Sequence, residues 1–163
     1  MDFAGKVVLV TGAGSGLGRA ASLAFAREGA ALCLVGRSRA KLEETGRLIR
    51  DAGGRCVELA CDLGEPHGCR EAIEGAMTAF GRLDVLCNIA ADVMFHRLAD
   101  IKEEEWNRTI ASNLSGPFFL MQAAMPHLIE SGGNIICVAS TAGFMGQAYL
   151  APYTASKFGL VGL

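Results

Sequence analysis

Short apolar runs alternate along the chain with longer segments in which apolar residues recur every three to four positions. The runs lack a strict period of two, which is typical of strands buried on both faces of a parallel sheet. They are Val7–Val10, Ala31–Val35, Cys56–Ala60, Leu83–Cys87 and Asn134–Val138. The helical patterns are Leu17–Glu28, Ala40–Asp51, Pro66–Phe80 and Glu103–Ile129. Five strands separated by helices predict an α/β fold with a doubly wound parallel sheet.

The longest helical pattern contains a predicted interruption. Pro117 has no N–H, so the carbonyl of Asn113, four residues earlier, loses its helical partner, and Gly116 loosens the same turn. We expect a bend or break near Asn113 that leaves its backbone oxygen available to water or a ligand. A packing kink without a functional role explains the same residues equally well.

A glycine-rich turn joins the first strand to the first helix. It reads Thr11-Gly12-Ala13-Gly14-Ser15-Gly16-Leu17-Gly18. Glycines let a pyrophosphate approach the backbone closely, and the free N–H groups of a helix N-terminus attract it. Tight turns use glycine in any case, but the position of this one between strand and helix favours a dinucleotide site over a purely structural turn. The predicted cofactor contacts here are Gly12, Gly14, Ser15, Gly16, Leu17 and Gly18.

The residues after the second strand bear on the kind of dinucleotide. Dinucleotide folds usually place an acid on the adenosine ribose there, whereas this chain has Gly36-Arg37-Ser38-Arg39. Because a guanidinium binds phosphate bidentately, Arg37 favours the 2′-phosphate of NADP(H) over NAD(H). The alternative is that Arg37 merely begins a solvated helix.

Several residues occur in the order found in short-chain dehydrogenases/reductases. They are the glycine turn from Thr11 to Gly18, Asp62 and Leu63, Asn88 and Ala90, Asn113, Ser140, and Tyr153 followed four residues later by Lys157. The chain therefore resembles this family from residue 6 to its last residue, although Ile89 and Ala91 depart from the family's Asn-Asn-Ala-Gly segment. The resemblance implies a Rossmann-like fold that binds NAD(P) and transfers a hydride between nicotinamide and a small-molecule carbonyl or secondary alcohol.

The resemblance also implies a role for each catalytic residue. Tyr153 is the expected general acid/base, and Lys157 is expected to bond the nicotinamide ribose and favour the phenolate. Ser140 is expected to hold and polarise the substrate carbonyl beside Tyr153, and Asn113 to bind a water that relays protons through Lys157. A single cation about 4 Å from a phenolate stabilises it by about 4 kcal/mol at an effective dielectric constant near 20. A metal ion is therefore not required to favour the phenolate. The structural alternatives are that Tyr153 is an ordinary helical tyrosine and that Ser140 is an ordinary turn residue. Each alternative is plausible alone, but both together are improbable.

The remaining matching residues concern the cofactor. By resemblance, Asp62 accepts a hydrogen bond from the adenine amino group, with Leu63 beside it. Asp62 alone could equally be a turn or cap residue. Asn88 and Ala90 are expected to support the central strand next to the cofactor.

The apolar side chains near these motifs bear on the substrate. The segment between Ser140 and Tyr153 lines the substrate pocket in the family, and here it carries Phe144, Met145 and Tyr149. A largely apolar substrate face is therefore expected. Core or pocket-lining positions are expected for Trp106 and for Met94, Met121, Met125 and Met145.

Composition narrows the possible partners. The net charge of −2 and the absence of a basic run argue against nucleic acid and anionic membranes. The six cysteines show no C-x-x-C pair and no metal-ligand spacing, so we expect free thiols, a reducing cytoplasmic compartment and no metal site. No apolar run approaches the ~20 residues that span a bilayer.

The motif containing Tyr153 and Lys157 lies close to the last residue of the chain. Family members continue with at least two more strands and a loop that closes over substrate. We therefore expect residues 1–163 to form a single NAD(P)-binding domain that is incomplete at the C-terminus, with the fifth strand as an exposed edge. A complete chain is expected to form a homo-oligomer. Two functions stay open for these 163 residues: an NADP(H)-dependent oxidoreductase, or a non-catalytic dinucleotide-binding fragment or interaction module.

Overall fold

Five parallel strands form one sheet with helices on both faces in the computed structural model, which describes residues 3–163. The strands are β1 Val7–Thr11, β2 Ala31–Gly36, β3 Arg55–Ala60, β4 Val85–Asn88 and β5 Asn134–Cys137, in the spatial order β3-β2-β1-β4-β5. The helices are α1 Gly16–Arg27, α2 Arg39–Asp51, α3 Pro66–Phe80, α4 Glu103–Ile110, α5 Gly116–Ser131 and α6 Ala151–Gly162. The predicted doubly wound, Rossmann-like fold is confirmed. The strand order reverses between β1 and β4, which opens a crevice at their carboxyl ends.

Burial differs between the central and the outer strands. Every residue of β1 and β4 is buried, as are the first five residues of β2, because helices cover both faces of the sheet. The expectation of complete burial is wrong for β3 and β5. Each pairs with a single described strand, and residues of β5 alternate between exposed and half-buried. Cover from helices is incomplete at the edges of a sheet, which explains the difference.

The predicted interruption of the longest helical pattern is confirmed. A π-helical turn, Ala111–Ser115, separates α4 from α5, and the Gly116 N–H donates to the Ala111 carbonyl five residues earlier. An α-helical bond to the Asn113 carbonyl would require an N–H on Pro117, which has none. The wider turn accommodates this defect at low cost, as π-bulges do. Whether the Asn113 carbonyl binds water stays a prediction.

Two apolar clusters form the core, one on each face of the sheet. One packs α3 and α5 against the strands, and the other packs α1 and α2. A core position is wrong for Trp106, Met125 and Met145, which are 41%, 43% and 60% exposed, whereas Met94 is buried. The first two lie on the outward sides of α4 and α5, and Met145 lies in the loop after β5. A pocket-lining position for the exposed residues stays a prediction. Among residues 3–163, no helix is long and apolar enough to span a membrane.

Asp84, the residue before β4, ties the amino ends of three strands together. Its backbone N–H donates to the Val7 carbonyl, and its own carbonyl accepts from the Asn134 N–H, each at 2.9 Å. Its carboxylate is 3% exposed. The carboxylate accepts hydrogen bonds from the Val7 amide at 2.9 Å, from Lys6 at 3.0 Å, and from two Arg82 nitrogens at 2.7 and 2.8 Å.

The pKa of Asp84 reflects these contacts. Burial opposes ionisation, but the hydrogen bonds from Arg82, the Val7 amide and Lys6 outweigh it and hold the pKa of Asp84 below its ordinary value. A lowered carboxyl pKa stabilises the fold above the unfolded-state pKa, and that stabilisation is lost as the pH falls through the folded-state pKa.

We expect Asp84→Asn to lower the free energy of unfolding at pH 7 by about 1–3 kcal/mol, because it removes charged hydrogen bonds from a buried site. The variant should also lose less stability than the parent on acidification from pH 7 to about pH 3. Urea denaturation across this range measures both effects, with Asp100→Asn at an exposed position as the matched control. Equal pH dependence in the parent and Asp84→Asn would contradict the assignment.

Candidate functional site

A cavity of about 420 Å³ lies at the carboxyl edge of the sheet, above the crevice between β1 and β4. Most of the predicted cofactor residues line it: Gly12, Gly14, Ser15, Gly16, Leu17, Gly18, Arg37, Asp62, Leu63 and Ala90. The lining also includes residues that sequence reasoning missed, namely Gly36, Ser38, Lys41, Leu42, Cys61, Ile89, Ala91 and Ser112. The structure therefore brings together the four segments that directly follow β1, β2, β3 and β4, and adds Ser112 from the π-helical turn between α4 and α5.

The glycine turn places the N-terminus of α1 at this cavity. Helix α1 begins at Gly16 after an extended Ser15, and its first turn carries no acidic residue. Its first N–H groups have no intrahelical partner and can bind an anion. Gly18 returns so close to the start of the turn that an added methyl group would overlap the Gly12 carbonyl. The turn thus has the tight packing that a pyrophosphate-binding turn requires.

A hydroxyl joins this turn to the segment after β4. Thr11 Oγ1 accepts hydrogen bonds from the backbone N–H groups of Ile89 and Ala90, both at 2.9 Å. The family's segment has other residues at positions 89 and 91, yet these two backbone contacts are made. Because Ala91 stands where the family's segment has glycine, its exposed methyl group lies on the cavity wall.

Arg19 of α1 fixes the turn against α2. Its guanidinium donates to the Gly14 carbonyl at 2.6 Å, to Thr45 Oγ1 at 3.0 Å, and to both carboxylate oxygens of Glu44 at 2.7 and 3.1 Å. The Thr45 hydroxyl in turn donates to the Ala13 carbonyl at 3.0 Å. These contacts hold the first turn of α2 at the edge of the cavity.

Tyr153 and Lys157 lie together on α6, outside the lining of this cavity. The Lys157 Nζ is 5.6 Å from the centroid of the Tyr153 ring and donates to the Val138 carbonyl at 2.7 Å. Lys157 is 2% exposed. Burial is the main cause that lowers the pKa of Lys157 from its ordinary value. The structure thus holds an ammonium beside a half-exposed phenol.

Ser140 occupies the turn role that was one of its two alternatives. It caps the short 3₁₀ turn Thr141–Gly143, and its Oγ accepts from the Ala142 N–H at 3.2 Å. Because this contact uses the oxygen as acceptor, the O–H remains able to donate to a substrate. The turn packs directly on α6, since a methyl group added at Gly143 would lie 2.8 Å from the Lys157 carbonyl oxygen.

The side chain of Asn113 is buried and joins three elements. Its Oδ1 accepts from the Asp92 N–H at 2.7 Å, and its Nδ2 donates to the Asp92 carbonyl at 2.8 Å and to Ser156 Oγ at 3.2 Å. The Ser156 hydroxyl donates to the Tyr153 carbonyl at 2.7 Å. Both N–H groups of this amide and one acceptor position of its oxygen are used. The backbone carbonyl of Asn113 therefore remains the predicted site for a water.

Asn88 is buried at the end of β4 and does not line the cavity. Its Nδ2 donates to Cys137 Sγ at 3.5 Å, and its carbonyl accepts from the Val138 N–H at 2.9 Å. Its Oδ1 has no hydrogen-bond partner among the described residues. The structure therefore gives Asn88 a supporting position between β4 and β5, and a cofactor contact stays a prediction.

Comparison with known proteins identifies the family. A sequence model described as "short chain dehydrogenase" matches residues 6–163. The chain is 37% identical to an uncharacterized oxidoreductase of Thermotoga maritima and covers 64% of that protein. The chain belongs to the short-chain dehydrogenase family.

Two further relatives are a curated protein and a solved structure. A 3-oxoacyl-(acyl-carrier-protein) reductase of Thermotoga maritima is 34% identical over all of this chain, which covers 67% of the relative. The crystal structure of a metagenomic short-chain oxidoreductase in complex with NADP is 39% identical, with a TM-score of 0.94 over 98% of this chain and 73% of that one. The chain spans about half to two thirds of the length of the curated relatives that it matches.

We expect Gly18→Ala in this short-chain dehydrogenase to lower the free energy of unfolding by about 1–3 kcal/mol, because the new methyl group must displace the Gly12 carbonyl. Gly146→Ala is the control, since a methyl group there meets nothing within 4 Å. Thermal and urea unfolding of the two variants measure the difference. Equal stability of both variants and the parent would show that the turn is not packed as described.

Proposed function

We propose that this short-chain dehydrogenase is an NADP(H)-dependent oxidoreductase that interconverts a carbonyl and a secondary alcohol. The observation that carries the proposal is the position of Tyr153 beside the buried ammonium of Lys157, on a helix that also contacts the Ser140 turn. The names of two relatives support it, one a reductase of 3-oxoacyl groups and one a short-chain oxidoreductase with bound NADP.

The cavity fits a dinucleotide. The glycine turn and the first N–H groups of α1 would hold the pyrophosphate, and Asp62 would accept from the adenine amino group. Arg37 lies on the wall after β2, where no acidic residue is present to bind an unphosphorylated ribose. This arrangement favours NADP(H) over NAD(H).

The nicotinamide would supply or accept the hydride when bound, and the protein's own residues manage the proton. During reduction Tyr153 donates its hydroxyl proton to the substrate oxygen, and during oxidation it accepts that proton. Ser140 donates a second hydrogen bond to the same oxygen. Lys157, held by the Val138 carbonyl, stabilises the phenolate and can bond a ribose hydroxyl with its remaining N–H donors. A cation 5.6 Å from the ring would stabilise the phenolate by about 3 kcal/mol at an effective dielectric constant near 20.

The substrate face is largely apolar in this proposal. Phe144, Met145 and Tyr149 are all exposed in the loop between Ser140 and α6. The Tyr149 carbonyl accepts from the His96 N–H at 3.0 Å, so this loop is joined to the segment after β4. The two loops together would present aromatic and aliphatic side chains to a small-molecule carbonyl compound.

We expect Tyr153→Phe to lower the rate of NADPH-dependent reduction by about 10²–10⁴-fold, the usual contribution of general acid catalysis, without weakening NADPH binding. A panel of aldehydes and ketones followed at 340 nm measures the rate, and NADPH fluorescence measures binding. Thr154→Val is the control, because it removes a neighbouring hydroxyl that has no partner among the described residues.

Undiminished turnover in Tyr153→Phe would exclude the acid/base role. NADPH binding by the parent without turnover of any carbonyl compound would instead favour the alternative of a non-catalytic dinucleotide-binding module.

A further inference from the structure

Asp92, in the segment after β4, is bound through both its side chain and its backbone. Its Oδ2 accepts hydrogen bonds from Arg108 Nε and from Thr109 Oγ1, both at 3.1 Å. The Asp92 side chain is 21% exposed, and Thr109 is fully buried. Sequence reasoning missed these contacts, because the two partners on α4 lie 16 and 17 residues further along the chain.

The partners of Asp92 lie on both sides of the point at which α4 ends. Arg108 and Thr109 belong to the last turn of α4, and Asn113 belongs to the π-helical turn that follows. The two α4 residues bind the carboxylate of Asp92, whereas Asn113 binds its backbone N–H and carbonyl at 2.7 and 2.8 Å. Asp92 therefore joins α4 to the π-helical turn through contacts that lie outside the helix itself.

The π-helical turn depends on such outside contacts for its position. The Gly116 N–H donates to the Ala111 carbonyl five residues earlier, a geometry that is rare and occurs mostly as a single turn inside α-helices. The Asn113 carbonyl has no α-helical donor, since Pro117 lacks an N–H. The direction of this carbonyl is therefore set by the packing of the turn, and Asp92 contacts the residue that carries it.

The hydrogen bonds of Asn113 continue to the helix that carries the acid/base pair. Its Nδ2 donates to Ser156 Oγ at 3.2 Å, and the Ser156 hydroxyl donates to the Tyr153 carbonyl at 2.7 Å. Lys157 is the next residue of α6. A shift of Asn113 would therefore change the geometry between its carbonyl and Lys157.

We propose that Asp92 is a positioning residue for the supply of protons to Tyr153. Its carboxylate fixes the end of α4 and its backbone fixes Asn113, so that the Asn113 carbonyl keeps the position at which it binds a water. The inference rests on the proposed function and on the expected relay, in which the proton that Tyr153 gives to substrate is replaced from solvent through that water and Lys157. A displacement of about 1 Å in such an arrangement can cost about 10²-fold in rate.

The carboxylate of Asp92 can be changed while its backbone contacts stay in place. Asp92→Leu keeps a similar volume and removes the acceptor. Asp92→Asn is the conservative variant, because a single oxygen accepts both bonds and an amide oxygen can also accept two. Glu104→Gln is the matched control, since Glu104 is an exposed acid on the same helix.

Amide hydrogen exchange measures the position of the turn without requiring turnover. Asp92→Leu should raise the exchange rate of the amides of residues 111–116 by about 10-fold, because the turn loses an outside contact that opposes local opening. Asp92→Asn and Glu104→Gln should stay within about threefold of the parent, since both keep the two hydrogen bonds to the side chain at position 92.

Steady-state kinetics of NADPH-dependent carbonyl reduction measure the proton supply. Asp92→Leu should lower kcat by about 10- to 100-fold and leave the KM for NADPH within about twofold. Its solvent deuterium isotope effect on kcat should exceed that of the parent, because proton transfer becomes the slower step. The pair Arg108→Gln and Thr109→Val should reproduce this loss from the other side, and adding Asp92→Leu to the pair should cause no further loss.

A folded Asp92→Leu variant with lower stability but unchanged kcat and isotope effect would reduce Asp92 to a structural contact and overturn the proposal, while the proposed function would stand. So would unchanged exchange rates, or an Asp92→Asn variant as impaired as Asp92→Leu. If Asp92→Leu does not fold by circular dichroism, the pair of α4 substitutions carries the same test. A folded parent that turns over no carbonyl compound would contradict the proposed function and the relay role together.

Discussion

The hydrogen bonds from the Ile89 and Ala90 amides to the Thr11 hydroxyl join two segments that border the cavity, the glycine turn after β1 and the segment after β4. They fix the start of the glycine turn against the segment that leaves β4, at the point where the sheet reverses its strand order. That segment continues to Asp92, whose backbone is held at both polar groups by Asn113. Asn113 then reaches α6 through Ser156. These hydrogen bonds, together with the backbone of residues 90–92, therefore connect the cavity to α6, the helix that carries Tyr153.

Charge is arranged differently at the two ends of the sheet. At the amino ends, the cations Lys6 and Arg82 neutralise the buried Asp84, and the result is structural. At the carboxyl ends, the N-terminus of α1 and the cations Arg37 and Lys41 border a cavity that holds a single acid, Asp62, among its described lining residues. An open positive site costs stability through unshielded charge, and a bound dinucleotide would supply the missing anions. The amino ends of the strands therefore stabilise the sheet, whereas the carboxyl ends form the candidate ligand site.

The sequence was most informative where a local rule determines the structure. Pro117 has no backbone N–H, so the break near Asn113 could be predicted from covalent chemistry alone. The glycine turn could be predicted because only small residues allow such a close approach of two backbone segments. Contacts between distant segments were beyond such rules. The position of Lys41 depends on how α2 packs on Gly14, and the exposure of Trp106 depends on which side of α4 meets the rest of the chain. The bond from Lys157 to Val138 likewise requires the register between α6 and β5.

A crystal structure of the chain with bound NADP⁺ tests the central claim most directly, because it locates both ends of the dinucleotide at once. The account predicts the pyrophosphate on the glycine turn, the 2′-phosphate about 3 Å from the side-chain nitrogens of Arg37, and the nicotinamide ribose within hydrogen-bond distance of Lys157. A dinucleotide bound outside the cavity would contradict the account. So would one bound within it whose nicotinamide end points away from Tyr153.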